Sequence, residues 1–155
     1  MNKTTVVCVD LDGTVSDDLS RQHLKPPKGS AHHHWRTFHQ ACMYDTPLAS
    51  TVLLLQALRL SHQIHFVSDR FVEMREVTER WLKAHSIPYD ALRLYEFHDR
   101  PVKNEVYKSR YIQQLIKQDL RPVLFIEDEG YIADYIETAT GVPVLCVNQR
   151  YALRP

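Results

Sequence analysis

Residues 6–15 read VVCVDLDGTV. The apolar run that opens this stretch is the pattern of a strand covered on both faces. It ends in two acids, Asp10 and Asp12, with only Leu11 between them. Side chains two residues apart leave an extended chain on the same side, so both carboxylates can reach one metal ion or one phosphorus atom. Gly13 lets the chain turn away sharply. Asp and Gly are also common where an ordinary strand meets a turn. Yet two carboxylates at the tip of an apolar strand repel each other and lose hydration, so a fold that puts them there needs a counter-charge. The stretch is therefore a candidate site.

Four further apolar runs read as buried strands: 63–69, 91–97, 122–128 and 142–148, beside the first at 4–11. Segments with helical spacing separate them. Thr46-Pro47 looks like an N-cap and first-turn pair opening a helix over 47–61. Over 70–85, Met74, Val77, Trp81 and Leu82 share one face, with Trp81 read as a core residue. Over 104–118, Val106, Tyr107, Tyr111, Leu115 and Ile116 do the same. A shorter helix over 130–140 stops at Gly141 before Pro143. This alternation predicts an α/β fold with a mainly parallel five-stranded sheet and helices on both faces. In such folds the ligand crevice lies at the carboxyl ends of the strands. Three separate pieces of sequence then converge on one rim: Asp10 and Asp12, Ser68-Asp69-Arg70, and Glu127-Asp128-Glu129.

Residues 15–46 break the rhythm. They hold two prolines and five of the nine histidines (His23, His32, His33, His34 and His39), with a helix expected over about 31–43. Placed between the first strand and its helix, they read as a small lid inserted over the strand ends. The 155 residues suit one domain, 1–155, that includes this lid. Formal net charge is zero, which argues against a long footprint on duplex nucleic acid but allows recognition of a strand end. Cys8, Cys42 and Cys146 are far apart and odd in number. With no leader-like start and no transmembrane-length apolar run, they suggest free thiols in the cytoplasm.

DxDGT after an apolar strand resembles the first motif of the haloacid dehalogenase (HAD) superfamily of phosphotransferases. Ser68 after FV, a lysine near a helix start and the acids after VLFI resemble its second, third and fourth motifs. More narrowly, HFVSDR, VKNEVYKSRYI and LFIEDE resemble the 3'-phosphatase domain of phage polynucleotide kinase. The resemblance implies a Rossmann-like HAD fold. It implies Asp10 as the nucleophile that forms an aspartyl-phosphate, and Asp12 as the acid and then base. It further implies Ser68 as a donor to the phosphoryl group, and a lysine for which Lys108 fits the spacing better than Lys103. Magnesium would be held by Asp10, the backbone carbonyl of Asp12 and Asp128, with Glu127 contributing directly or through water. Arg21, Arg70, Thr14, Trp35, His39 and Lys103 are then expected to face the substrate. Two positions depart from the pattern: Asn104 stands where an acid often precedes the lysine, and Glu127 replaces a more usual aspartate.

The His32–His34 run is a poor metal site, because adjacent helical residues point in different directions. Trp35, Arg36, Phe38 and His39 could form a lid face that stacks on a base or holds a phosphate, or Trp35 and Phe38 could simply dock the lid.

The leading reading is a magnesium-dependent phosphomonoesterase for the 3'-phosphate of a DNA or RNA end. A phosphatase of free nucleotides or other small phosphoesters is the alternative, because the four motifs handle only the phosphoryl group. A non-catalytic phosphate-binding module fits less well, and a phosphoacceptor receiver domain carries its acid pair elsewhere. No GxxxxGK[ST] occurs, so a 5'-kinase, like a ligase, would be a separate partner.

Overall fold

The computed structural model describes residues 4–27, 29–96 and 102–147. In chain order the strands are β1 (Thr5–Val9), β2 (Ser16–Asp17), β3 (Thr46–Pro47), β4 (Gln63–Phe71), β5 (Ala91–Tyr95), β6 (Arg121–Glu127) and β7 (Val144–Cys146). The helices are α1 (Trp35–Gln40), α2 (Ala49–Leu58), α3 (Arg75–Ala84), α4 (Asn104–Lys117) and α5 (Gly130–Thr140). Five strands form one parallel sheet in the order β5-β4-β1-β6-β7. All five lie where the apolar runs predict; the ends expected at 97 and 148 fall outside the described residues.

Alternate residues of β1 serve two cores. Val7 and Val9 pack with Leu55 of α2 and with Trp81 and Leu82 of α3. Val6 and Cys8 pack on the other face with Ile112 and Leu115 of α4 and with Ile132 and Ile136 of α5. Both faces of the strand are buried, which is why its sequence is continuously apolar rather than alternating. The chain winds outward from β1 through β4 to β5, then returns to the other side of β1 with β6 and β7. The direction reverses between β1 and β6, the crevice that α/β sheets use for ligands.

Four local expectations are corrected. Thr46 and Pro47 do not open a helix: they pair antiparallel with Asp17 and Ser16, and α2 starts at Ala49. Proline lacks a donor but is tolerated on an edge strand, and the ribbon closes the base of the insertion. The helix expected over 31–43 is broken into a 3-10 turn at His32–His34, the six-residue α1 and a second 3-10 turn at Ala41–Tyr44. No side chain caps α1 or the second 3-10 turn, and so short a helix depends on packing rather than propensity. The chain after Ser68 also stays extended to Phe71 before a 3-10 turn leads into α3. On α4, Ile116 is exposed, and Ile112 takes the core position with Leu115.

Gly141 ends α5 in the left-handed conformation, φ +71°, its N–H donating to Glu137 O at 2.9 Å. A Cβ there would meet nothing within 4 Å, so the cost of a side chain is conformational alone. Gly141→Ala should lower stability by about 1 kcal/mol, read as a lower urea midpoint with an unchanged slope.

Candidate active site

Asp10 follows directly on β1, and its N–H donates to Ile126 O of β6 at 3.0 Å, so the central strand pair fixes its backbone. The next turn folds back on itself: Thr14, Val15 and Ser16 all donate to Leu11 O. Gly13, at φ +81°, makes the turn possible, and a Cβ on it would lie 2.2 Å from Asp128 Oδ2. Only glycine lets the first and third rim segments approach this closely. Thr14 Oγ1 lies between them, 3.4 Å from Asp10 Oδ2 and 3.2 Å from Asp128 Oδ1.

Two groups of buried charge result. In the first, Lys108 of α4 is 1% exposed and places Nζ 3.0 Å from Asp10 Oδ1 and 2.7 Å from Glu127 Oε2. The other Glu127 oxygen accepts the N–H groups of Asp128 and Glu129 at 3.1 and 3.3 Å. Burial would depress the Lys108 ammonium, but Asp10 and Glu127 hold it well above its ordinary pKa. Burial raises the Asp10 carboxyl, with Lys108 opposing and Glu127 and Asp128 reinforcing the rise. Burial, then Glu127, push Asp128 up to about 8.

The second group surrounds Asp12. Arg70 Nε donates to both Asp12 oxygens at 3.0 and 3.2 Å, and Nη2 groups of Arg70 and Arg21 both bond Oδ1. Arg21 also forks onto Asp45, with contacts of 2.8 to 3.1 Å. Burial alone would raise the Asp12 carboxyl, but Arg70 and Arg21 hold it well below the usual carboxylate range.

The expected residues therefore separate. Asp10, Asp12, Thr14, Lys108, Glu127 and Asp128 are brought together. Lys103 is not: it is exposed at the N-cap of α4. Ser68 is fully buried, its Oγ accepting the Arg70 N–H at 3.2 Å. Arg21 and Arg70, expected at the substrate, are 2% and 0% exposed and are committed to Asp12 and Asp45. The counter-charge that the strand-end acids require is thus supplied to Asp12 by two arginines and to Asp10 by a lysine. Sequence reasoning passes over Asp45, which carries no motif and reads only as the residue before a helix cap.

A cavity of about 450 Å³ opens over these groups. Asp10, Asp12, Lys108, Glu127 and Asp128 line its sheet side; Asp18, Lys25, Trp35, Phe38 and His39 line the side of the insertion. His39 is buried, accepts the Phe71 N–H on Nδ1 at 3.4 Å and meets the Phe71 ring at a tilt of 60°. Of the histidine run, His33 and His34 are exposed, and the His32 side chain lies outside the described residues.

A family model described as HAD superfamily, subfamily IIIB (acid phosphatase), matches residues 1–130. The chain belongs to this family. No match was found among curated proteins. Among solved structures it is similar to a chain of the Pnkp1/Rnl/Hen1 RNA repair complex, with TM-score 0.75 and 20% identity over 94% of this chain and 42% of that one. It is also similar to the class C acid phosphatase of Bacillus anthracis, with TM-score 0.62 and 20% identity over 83% and 53%. A third similar structure is the HAD hydrolase YfnB of Bacillus subtilis bound to magnesium, with TM-score 0.65 and 10% identity over 99% and 93%. These likenesses establish the fold. The chain spans less than half the length of the RNA repair protein. Among the described residues no helix is long and apolar enough to cross a membrane.

The site fits the divalent cation that HAD phosphatases use. Asp10, Glu127 and Asp128 each offer an oxygen within 4.8 Å of the others. Across the two groups five carboxylates, Asp10, Asp12, Asp45, Glu127 and Asp128, meet three cations, Arg21, Arg70 and Lys108. The negative charge left over lies on the Asp10 and Asp128 side, where oxygen ligands suit magnesium.

Two measurements test this geometry. Gly13→Ala should abolish activity by displacing Asp128, while circular dichroism remains that of a folded α/β protein. For His39, burial lowers the pKa from 6.5 to about 4. Below pH 6.5 the unfolded chain binds a proton that the folded chain refuses, so this contribution to stability is present above 6.5 and lost as pH falls toward 4. Between pH 7.5 and 5, wild type should lose roughly 2 kcal/mol more stability than His39→Gln in urea titrations.

Proposed function

We propose that this chain is a magnesium-dependent phosphomonoesterase that removes the 3'-phosphate from polynucleotide ends through an aspartyl-phosphate. The observation that carries the chemistry is Asp10, at the carboxyl end of the central strand, beside Lys108 and Asp12 in one open cavity. In this reading Asp10 attacks phosphorus as the bond to the leaving oxygen breaks, and Asp12 gives that oxygen a proton. Asp12 then takes a proton from the water that attacks the phosphorus of the aspartyl-phosphate, releasing phosphate and restoring Asp10. Lys108 opposes the effect of burial on Asp10, favouring its ionised form, and holds it in place. Magnesium would be held by Asp10, Asp128 and the Asp12 carbonyl, and would supply charge that offsets the phosphoryl group. Glu127 serves by fixing Lys108.

Arg21 and Arg70 keep resting Asp12 ionised, the form that accepts a proton from water. A phosphoryl dianion entering the cavity adds negative charge beside Asp12, which favours loading a proton on it. Thr14 and Ser68 would assist as hydroxyl donors within one domain, 1–155, whose insertion 15–46 forms a small lid. Trp35 and His39 would face the substrate from that lid, with Lys103 at the edge.

The polynucleotide substrate is supported by two features. The insertion leaves the cavity open to a strand that inserts only its end, and Trp35 offers a ring for stacking at its wall. The likeness to a chain from an RNA repair complex also favours it, and makes a kinase or ligase a plausible class of partner. The family's acid phosphatases favour the second reading, a phosphatase of nucleotides or other small phosphoesters.

Phosphate release from a 3'-phosphorylated oligonucleotide, its 5'-phosphorylated isomer and a mononucleotide separates these readings. We expect preference for the first, lost on removing magnesium with a chelator and reduced at least about 1,000-fold in Asp10→Asn. Preference for the mononucleotide would keep the chemistry and overturn the substrate.

A further inference from the structure

Asp45 lies where the inserted segment returns to the sheet, 33 residues after Asp12 in the chain, yet its buried carboxylate completes the charge around that residue. Arg21 Nε lies 2.9 and 3.1 Å from the two Asp45 oxygens, and Arg21 Nη2 reaches Oδ2 at 2.8 Å while also bonding Asp12. Arg70 Nη2 is 4.0 Å from the same Asp45 oxygen, 3.3 Å from Ser16 Oγ, and bonded to Asp12. Ser16 Oγ in turn donates to Asp45 Oδ2. Four charges thus close a ring, Asp12–Arg21–Asp45–Arg70, with Ser16 as a bridge. The Asp45 backbone is anchored separately: its carbonyl accepts Trp81 Nε1–H at 2.9 Å, from the core of α3.

We propose that Asp45 is a positioning residue for Asp12. It acts through the arginines, fixing the direction from which each guanidinium meets the Asp12 carboxylate and so where that carboxylate points over Asp10. Without it, two buried guanidinium groups share one carboxylate, and each is free to turn toward the cavity or the substrate phosphate. Because Asp45 closes the insertion and Ser16 opens it, the ring also makes the placement of Asp12 depend on docking of residues 15–46. A bidentate carboxylate–guanidinium fork is directional as well as strong, which suits this purpose better than a lone ammonium.

The inference rests on the reading of Asp12 as the group that protonates the leaving oxygen, and the test separates the two. An alkoxide leaving group, the 3'-oxygen of a nucleotide, needs that proton; p-nitrophenolate leaves without it. The ratio of kcat on a 3'-phosphorylated oligonucleotide to kcat on p-nitrophenyl phosphate therefore reports the placement of Asp12, and general loss of structure lowers both. We expect Asp45→Asn to lower the ratio at least about tenfold, within the range that general acid catalysis supplies, and Asp45→Glu to restore most of it. Equal loss on both substrates, or no loss, would overturn the inference. Should Asp45→Asn fail to fold by circular dichroism, Ser16→Ala, which removes one partner of the carboxylate, should lower the ratio about threefold by the same reasoning; an unchanged ratio overturns it. Asp12→Asn is the reference: if it lowers both substrates equally, the reading of Asp12 itself has failed, whatever Asp45 does.

Discussion

Carboxylates crowd the carboxyl ends of β1 and β6 so closely that the fold around them depends on buried cations arriving from elsewhere in the chain. Lys108 comes from α4, Arg70 from the end of β4 and Arg21 from the insertion, and all three are almost wholly buried. An unpaired charge in such surroundings is costly, and removing one partner of a buried pair costs more than the pair contributes. The elements that carry these residues are therefore held to one arrangement. The break in the helical pattern after Ser68 and the ribbon that closes the insertion are both local departures that deliver a charged side chain to this place.

That constraint separates two tasks. Lys108 balances Asp10 and Glu127 on the sheet side, where the remaining negative charge invites a divalent cation. Arg21 and Arg70 balance Asp12 and Asp45 on the side of the insertion. Two neighbouring carboxylates on one turn, Asp10 and Asp12, are thus given opposite surroundings: one is pushed up by burial and its acidic neighbours, the other held down by guanidinium groups. A cation bound between Asp10 and Asp128 would lower the first, and a phosphoryl group beside Asp12 would raise the second, the directions that attack and proton transfer require.

The sheet was legible in the sequence because continuous apolar runs such as VVCV and VLFI have few other uses in a protein of this size. The rim acids were legible because a strand-end DxD has a specific physical meaning. Lys108 was preferred to Lys103 through the family resemblance alone, by its spacing after Asn104 and before the Tyr111-Ile112 pair. The destinations of Arg21 and Arg70 were not legible: an arginine near a phosphate motif reads as a phosphate ligand, and only three-dimensional contact reveals that a carboxylate has claimed it. Asp45 had no signal, since its partners are 24 and 29 residues away in Arg21 and Ser16. The broken helix at 32–44 was missed for a similar reason. Its apolar residues Phe38 and Cys42 have helical spacing, but the chain bends to bury them beside His39.

The central claim is that Asp10 is the group that receives the phosphoryl unit. The most direct measurement is acid quenching during turnover, followed by mass spectrometry of the peptides. The account predicts one phosphoryl adduct on the peptide containing Asp10, removed by hydroxylamine as an acyl phosphate must be, and absent from Asp10→Asn. An adduct on another side chain, such as His39, or full turnover by Asp10→Asn, would contradict it.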